Sequence, residues 1–134
     1  MIVCEFEDGG KAKLRHVTVG AIVVNDKQEV LLVKRSVSHR FGKYSIPGGF
    51  LDRDEDTKTA TLRELKEETG YEGKISLLFR VNDSSERPKE DRQNVDILYI
   101  VKATGGEPTL NKEVSEIKWF KKDDLPNDED FAFD

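Results

Sequence analysis

The chain has 134 residues with 37% charged side chains, 22 Lys and Arg against 27 Asp and Glu, a formal net charge of -5 and one cysteine. A domain of this length buries roughly two thirds of its unfolded surface without covalent staples, and one cysteine cannot build a disulfide scaffold. The acidic balance excludes a general nucleic-acid coat, which rests on a positive excess, and no apolar run approaches the roughly 20 residues of a membrane span.

The first eight residues lack a basic start followed by an apolar core, so no secretory leader is expected, and Cys4 alone fits a reducing, cytoplasmic setting. Residues 12–24 alternate as one strand, with Val17, Val19, Ala21 and Val23 on one face and His16, Thr18 and Gly20 on the other. A turn at 25–28 leads to a short apolar run at 30–34 that pairs back as a hairpin, and 36–42 is polar loop. Tyr44, Ser45 and Ile46 form a short strand halted by Pro47, Gly48 and Gly49. The spacing predicts a helix over 57–69, with Asp56 or Thr57 as N-cap and Gly70 in the C-cap position. Further strands are expected at 74–81, at 94–103 up to Gly105 and Gly106, and at 114–120 with Ile117 and Trp119 on one face. A polar loop separates the first two at 82–92, and the acidic stretch 123–130 reads as turn or flexible segment. No repeat or linker divides the chain, so residues 1–134 form one α+β domain, an α/β/α sandwich around a mixed sheet.

In the helix, Glu64, Glu67 and Glu68 are three and four residues apart and share one face at about 100° per residue. Clustered carboxylates repel unless a positive group sits among them, and a hard cation with oxygen ligands, Mg²⁺ or Mn²⁺, suits them. Such an ion bridges to substrate phosphates and acidifies water for attack on phosphorus. The helix alone leaves a plain alternative open, because charge-laced helices usually present a solvated face and Arg63 with Glu67 is an ordinary i,i+4 pair. A calcium loop starting at Asp52 fails, since its sixth position is Thr57 and its twelfth Arg63.

Upstream residues decide between these. From Gly49 the chain reads Gly, five residues, Glu55, seven residues, Arg63-Glu64-Leu65, one residue, Glu67-Glu68, one residue, Gly70-Tyr71. This resembles the signature of the Nudix hydrolases, G-x5-E-x7-R-E-U-x-E-E-x-G-U with U bulky and apolar; average usage puts a chance match on the order of 10⁻⁹. Tyr71 stands where the family more often has an aliphatic residue. Residues 20–24, 31–35, 46–49 and 117–120 look like the family's flanking strands.

The resemblance implies a loop, helix and loop against a mixed sheet, and a hydrolase acting on pyrophosphate bonds. It makes Glu67 and Glu68 the principal Mg²⁺ ligands, Glu64 a further ligand or the group that orients the attacking water, and the Gly49 carbonyl part of the metal shell. Arg63 pairs with Glu55 or a neighbouring carboxylate to hold the ligands, the bland reading being a surface ion pair. Glu113, six residues ahead of Trp119, matches an acid that assists the metals in the antimutator branch, with Glu116 its competitor. For a nucleotide substrate, Arg35 and Lys43 flank the box, Tyr44 and Phe50 offer stacking surfaces, and Arg87, Lys89 and Arg92 carry positive charge toward phosphates.

Pro47 to Leu51 and the segment 87–92 look like small ADP-ribose pyrophosphatases, and Pro88, 17 residues past Tyr71, lies near that branch's proline. The expected activity is therefore cleavage of a nucleoside diphosphate linked to another moiety, ADP-ribose or a nucleotide sugar. The alternative is a nucleoside triphosphate pyrophosphohydrolase of the antimutator type, which often carries Lys where this chain has Phe50. A non-catalytic nucleotide sensor, the alternative of another class, usually lacks one or more box carboxylates. The resemblance is compatible with a homodimer and implies a helix following residue 134.

Overall fold

The computed structural model describes residues 2–134. In chain order it contains β1 (Ile2–Glu5), β2 (Lys11–Leu14), β3 (Val17–Val24), β4 (Val30–Arg35), β5 (Tyr44–Ser45), β6 (Gly48–Phe50), α1 (Thr57–Thr69), β7 (Tyr71–Asn82), β8 (Val95–Gly106) and β9 (Val114–Phe120). β1 and β2 make a separate antiparallel hairpin, and the other strands form one mixed sheet.

The alternation read from the sequence is realised in β3, where Val19, Ala21 and Val23 are buried against α1 and β8. β3 runs parallel to β8 from Val17↔Val95 to Val24↔Lys102, and β7 closes the sheet antiparallel to β8. On its other side β3 pairs with β6 through Thr18, Val19 and Gly20, but meets β4 only at Val24↔Val30. β4 diverges instead to pair with β5 and β9, and residues from both diverging strands, Gly20 and Arg35 among them, line one cleft. Leu65 of α1 joins Ala21, Val23, Leu31, Tyr99 and Val101 in the core.

α1 starts and stops where its caps dictate. The Asp56 carboxylate accepts from the Thr59 N–H at 2.8 Å, and Gly70, at φ 80°, turns its N–H back to the Lys66 carbonyl. The Thr57 hydroxyl lies 2.6 Å from that of Tyr99, tying the first turn to β8. The helix thus presents Ala60, Thr61 and Leu65 to the sheet and leaves its carboxylate edge beside β6.

The strand expected over 12–24 is two strands. Arg15 donates to the Gln93 and Asp83 carbonyls at 2.5 and 2.7 Å, which pulls the chain sideways at the break. β5 stops at Ser45, before Pro47-Gly48-Gly49 as expected, but Gly48 and Gly49 then open β6: a Cβ on Gly48 would collide with the Val19 carbonyl, so only glycine lets the main chains close. The acidic stretch forms two 3₁₀ turns, Lys122–Asp124 and Asp128–Asp130, after which Phe131 bridges to Tyr44 and Ala132 is buried. No helix of the described residues is long and apolar enough to cross a membrane.

Candidate active site

α1 holds its carboxylates in unequal environments. Glu68 is 9% exposed, and its Oε2 accepts the Gly48 N–H at 3.1 Å. Burial pushes its carboxyl up to about 8, Glu64 and Glu113 add to the rise, and the Gly48 N–H and Arg35 oppose it. Burial also raises Glu64, with Arg63 opposing. Glu67 is more than half exposed. Arg63 spans the group: its guanidinium donates to both Glu55 oxygens at 2.6 and 3.0 Å, to Glu64 at 2.9 Å, to Glu67 at 3.2 Å and to the Phe50 carbonyl at 3.2 Å. Those bonds hold Glu55 down at about 2 and raise Arg63.

Among the described residues no three acidic, His or Cys groups converge as a closed ligand set; Nη1 of Arg63 spans Glu64 and Glu67 instead. The donor chemistry nevertheless fits a hard divalent cation: Glu68 is a buried carboxylate with no ion-pair partner among the described residues, and Glu64 and Glu67 stand within one turn of it. Gly49 is packed against this group so closely that a Cβ there would strike the Glu64 carboxylate. Because that obstacle is the mobile end of a side chain, Gly49→Ala should lower hydrolytic kcat/KM by at least about tenfold while shifting Tm by only a few degrees; an unchanged kcat/KM would show that the position of Glu64 is immaterial.

The carboxylates open onto a cleft of about 570 Å³, which suits a nucleotide-sized ligand. Gly49, Phe50, Arg35, Tyr44, Arg92 and Glu113 line it, as do Glu64, Glu67 and Glu68. Arg35 is fixed by a 3.2 Å bond from Nε to the His39 carbonyl and lies 5.2 Å from the Phe133 ring, and burial lowers its pKa. Phe50 is partly exposed, backed by His16 with ring centres 5.0 Å apart. Tyr44 is packed by Phe120 edge-on and by Lys34, and its hydroxyl donates to Glu116 at 3.1 Å.

Of the two candidate acids, Glu113 lies in the loop before β9 and lines the cleft, whereas Glu116 lies within β9 and accepts from the Tyr44 hydroxyl. Arg87 is placed elsewhere than the phosphate-facing loop the sequence suggested. It is buried, with Nη1 2.5 Å from Asp96 and Nη2 3.6 Å from Glu90, and it braces the cleft wall from behind. Lys43 and Lys89 are spent on main-chain carbonyls of the C-terminal segment. That segment brings Phe131 and Phe133 into the cleft, β3 and β8 bring Thr18 and Asp96, and Asn94 joins them from just before β8. Of these, the sequence reading singles out Thr18 alone, on the strand face opposite Val19 and Ala21.

A family model described as NUDIX domain matches residues 14–134. The chain is 33% identical over 118 residues to an ADP-ribose pyrophosphatase of Methanocaldococcus jannaschii, covering 88% of this chain and 67% of that protein. It is 30% identical over 106 residues to the NAD-capped RNA hydrolase NudC of Salmonella typhi, covering 78% of this chain and 39% of the relative. A crystal structure of a MutT NUDIX hydrolase from Burkholderia pseudomallei superposes with a TM-score of 0.75 at 31% identity, covering 86% of this chain and 89% of that one.

Proposed function

The chain belongs to the NUDIX family, and we propose that it is a divalent-cation-dependent pyrophosphohydrolase cleaving a nucleoside diphosphate joined to a second group, ADP-ribose or a nucleotide sugar. The observation that carries this reading is the continuity of one cleft from the Glu64, Glu67 and Glu68 carboxylates to walls of mixed polar and aromatic character. A diphosphate belongs at the first, and a nucleoside at the second.

Glu64, Glu67, Glu68 and the Gly49 carbonyl would hold Mg²⁺ or Mn²⁺, which when bound supplies positive charge to the phosphate oxygens and acidifies a nearby water. The protein's own groups do the rest. Glu64, half-buried and held by the Arg63 guanidinium at 2.9 Å, is placed to take a proton from the attacking water. Arg35, fixed at the cleft wall, opposes the negative charge that gathers as the anhydride breaks. Arg63 holds Glu64 and Glu67 in register while Glu55 anchors Arg63. A reducing, cytoplasmic setting belongs to the same reading.

The test is a panel of ADP-ribose, nucleotide sugars, dinucleoside polyphosphates and nucleoside triphosphates with Mg²⁺, read by nucleoside monophosphate or pyrophosphate release. Mononucleotide release from ADP-ribose or a nucleotide sugar is the expected result. Pyrophosphate release from triphosphates alone would transfer the assignment to the antimutator type, and saturable binding with no turnover would make the protein a sensor. On the best substrate, Glu113→Gln should lower kcat by on the order of 10²-fold, whereas Glu116→Gln should leave it within about threefold. The reverse ranking would give the assisting role to Glu116.

A further inference from the structure

The loop between β8 and β9 carries Glu113 to the cleft, and it is fastened on both flanks. A helix ends in carbonyls that its own residues cannot satisfy, and this loop supplies donors to two of them. The Thr109 N–H reaches the Thr69 carbonyl at 2.8 Å, and Asn111 Nδ2 reaches the Glu67 carbonyl at 2.8 Å. On the other flank Ser36, next to Arg35, donates its N–H to the Glu113 carbonyl at 2.8 Å and its hydroxyl to the Lys112 carbonyl at 2.6 Å. Val114 is then buried as the first residue of β9.

Asn111 stands where these contacts cross. While Nδ2 grips α1, Oδ1 accepts the N–H groups of Glu113 at 2.8 Å and Val114 at 3.1 Å. Two donors on the oxygen and a carbonyl on the nitrogen fix the orientation of the amide. A local turn needs only the oxygen, whereas the bond from the nitrogen spans 44 positions of the chain and ends on a box residue. Glu113 itself is fastened, among the described residues, only through its main chain, and its side chain is exposed in the cleft. Its charge acts on Glu64 and Glu68 of α1 and on Arg35 of β4. Which rotamers of such a side chain face the helix depends on where its backbone is set.

We infer that Asn111 is a positioning residue for the hydrolysis: it locks the main chain of Glu113 to the turn of α1 that bears Glu67 and Glu68, so that the helix and loop carboxylates face one another across the cleft at a fixed separation. Asparagine suits both tasks because one short side chain carries an acceptor and a donor. Serine can copy the turn with its oxygen but lacks the reach to α1, and alanine does neither. This inference rests on the reading of the cleft as a pyrophosphohydrolase site with Glu113 as its assisting acid.

The test is steady-state kinetics with Mg²⁺ on the best substrate of the panel, for the wild type, Asn111→Ala, Asn111→Ser, Glu113→Gln and the two double variants, with folding checked by Tm. Asn111→Ala should lower kcat by about tenfold or more and leave KM within about threefold, because the residue touches no substrate and a misplacement of about 1 Å is enough for such a loss. Asn111→Ser, which keeps the turn and loses the tie to α1, should lose about as much. In the Glu113→Gln background either substitution should cost less than about twofold more, since the group it positions is already gone. A residue that merely stabilised the loop would slow both backgrounds alike. A full-sized loss in the Glu113→Gln background, a kcat for Asn111→Ala within about twofold of the wild type, or wild-type kcat in Asn111→Ser would each overturn the inference, the last by showing that the turn alone places Glu113. If Asn111→Ala does not fold, Asn111→Ser decides through the same comparison. The two readings fail separately: turnover with additive losses removes the role of Asn111 alone. No turnover of any panel substrate by the wild type removes the hydrolase, and with it any reaction for Asn111 to serve.

Discussion

Replacing Glu68 by Gln should reduce hydrolysis by on the order of 10²–10³-fold and, in metal-free protein at alkaline pH, raise stability. Both effects come from one placement. Glu68 lies in the wall between α1 and β6, with the Gly48 N–H as its hydrogen-bond donor and no ion-pair partner among the described residues. Its carboxyl is pushed by burial from an ordinary 4.5 to about 8. The sign follows from proton counting. Between these two values the folded protein holds a proton that the unfolded chain has released, so stability falls as pH rises through that window.

The full displacement corresponds to about 5 kcal/mol, an upper value because the neighbouring Glu64 titrates with it. Gln cannot ionise, so the wild type should unfold at lower urea than Glu68→Gln at pH 9, and the gap should narrow toward pH 5. Mg²⁺ or Mn²⁺ should reverse the order, because cation binding displaces the proton and stabilises only the chain that keeps the carboxylate. Glu64→Gln should lose comparable activity. Near wild-type turnover by both variants would remove α1 from the chemistry, and a pH-independent stability gap would show that Glu68 titrates normally.

The helix and the box were legible because their information is local. Asp56 and Gly70 cap α1 at the expected positions, and the spacing of Glu64, Glu67 and Glu68 fixes their common face whatever the rest of the chain does. β9 was legible for the same reason, Ile117 and Trp119 being two residues apart on the face that packs against the core. β6 was not, since Pro47-Gly48-Gly49 carries the residues of a chain break, and its strand geometry comes from the close approach to Val19 that Gly48 permits. The break between β2 and β3 depends on Arg15 finding carbonyls at 83 and 93, far along the chain. Arg87 looked like a phosphate ligand because a basic residue in a polar loop usually faces water. Only the fold reveals that Asp96 and Glu90 draw it inward.

Arg63→Ala should destabilise the protein by about 2–4 kcal/mol and lower Tm by roughly 10 °C, with loss of most hydrolytic activity. The side chain is 26% exposed, so it is not a free surface cation. Its five donors are distributed over Glu55, Glu64, Glu67 and the Phe50 carbonyl, with Asp52 at 3.5 Å. Truncation leaves Glu55, Glu64 and Glu67 without the cation they share, and the substitution therefore acts on several residues at once. Arg63→Lys keeps one charge but cannot grip both Glu55 oxygens, so it should fall between the two in stability and remain closer to Ala in activity.

Acid titration separates this account from simple loss of packing. Glu55 is held at about 2 by Arg63, so the pair's contribution is complete above about 4.5 and is lost as pH falls toward 2. The urea midpoints of wild type and Arg63→Ala should accordingly be far apart at pH 7 and converge near pH 2, and Glu55→Gln should remove much of the difference at neutral pH. A gap of the same size at both pH values would mean that Arg63 stabilises the loop through its aliphatic stem. The ordering of Glu64 and Glu67 would then have to come from the helix alone.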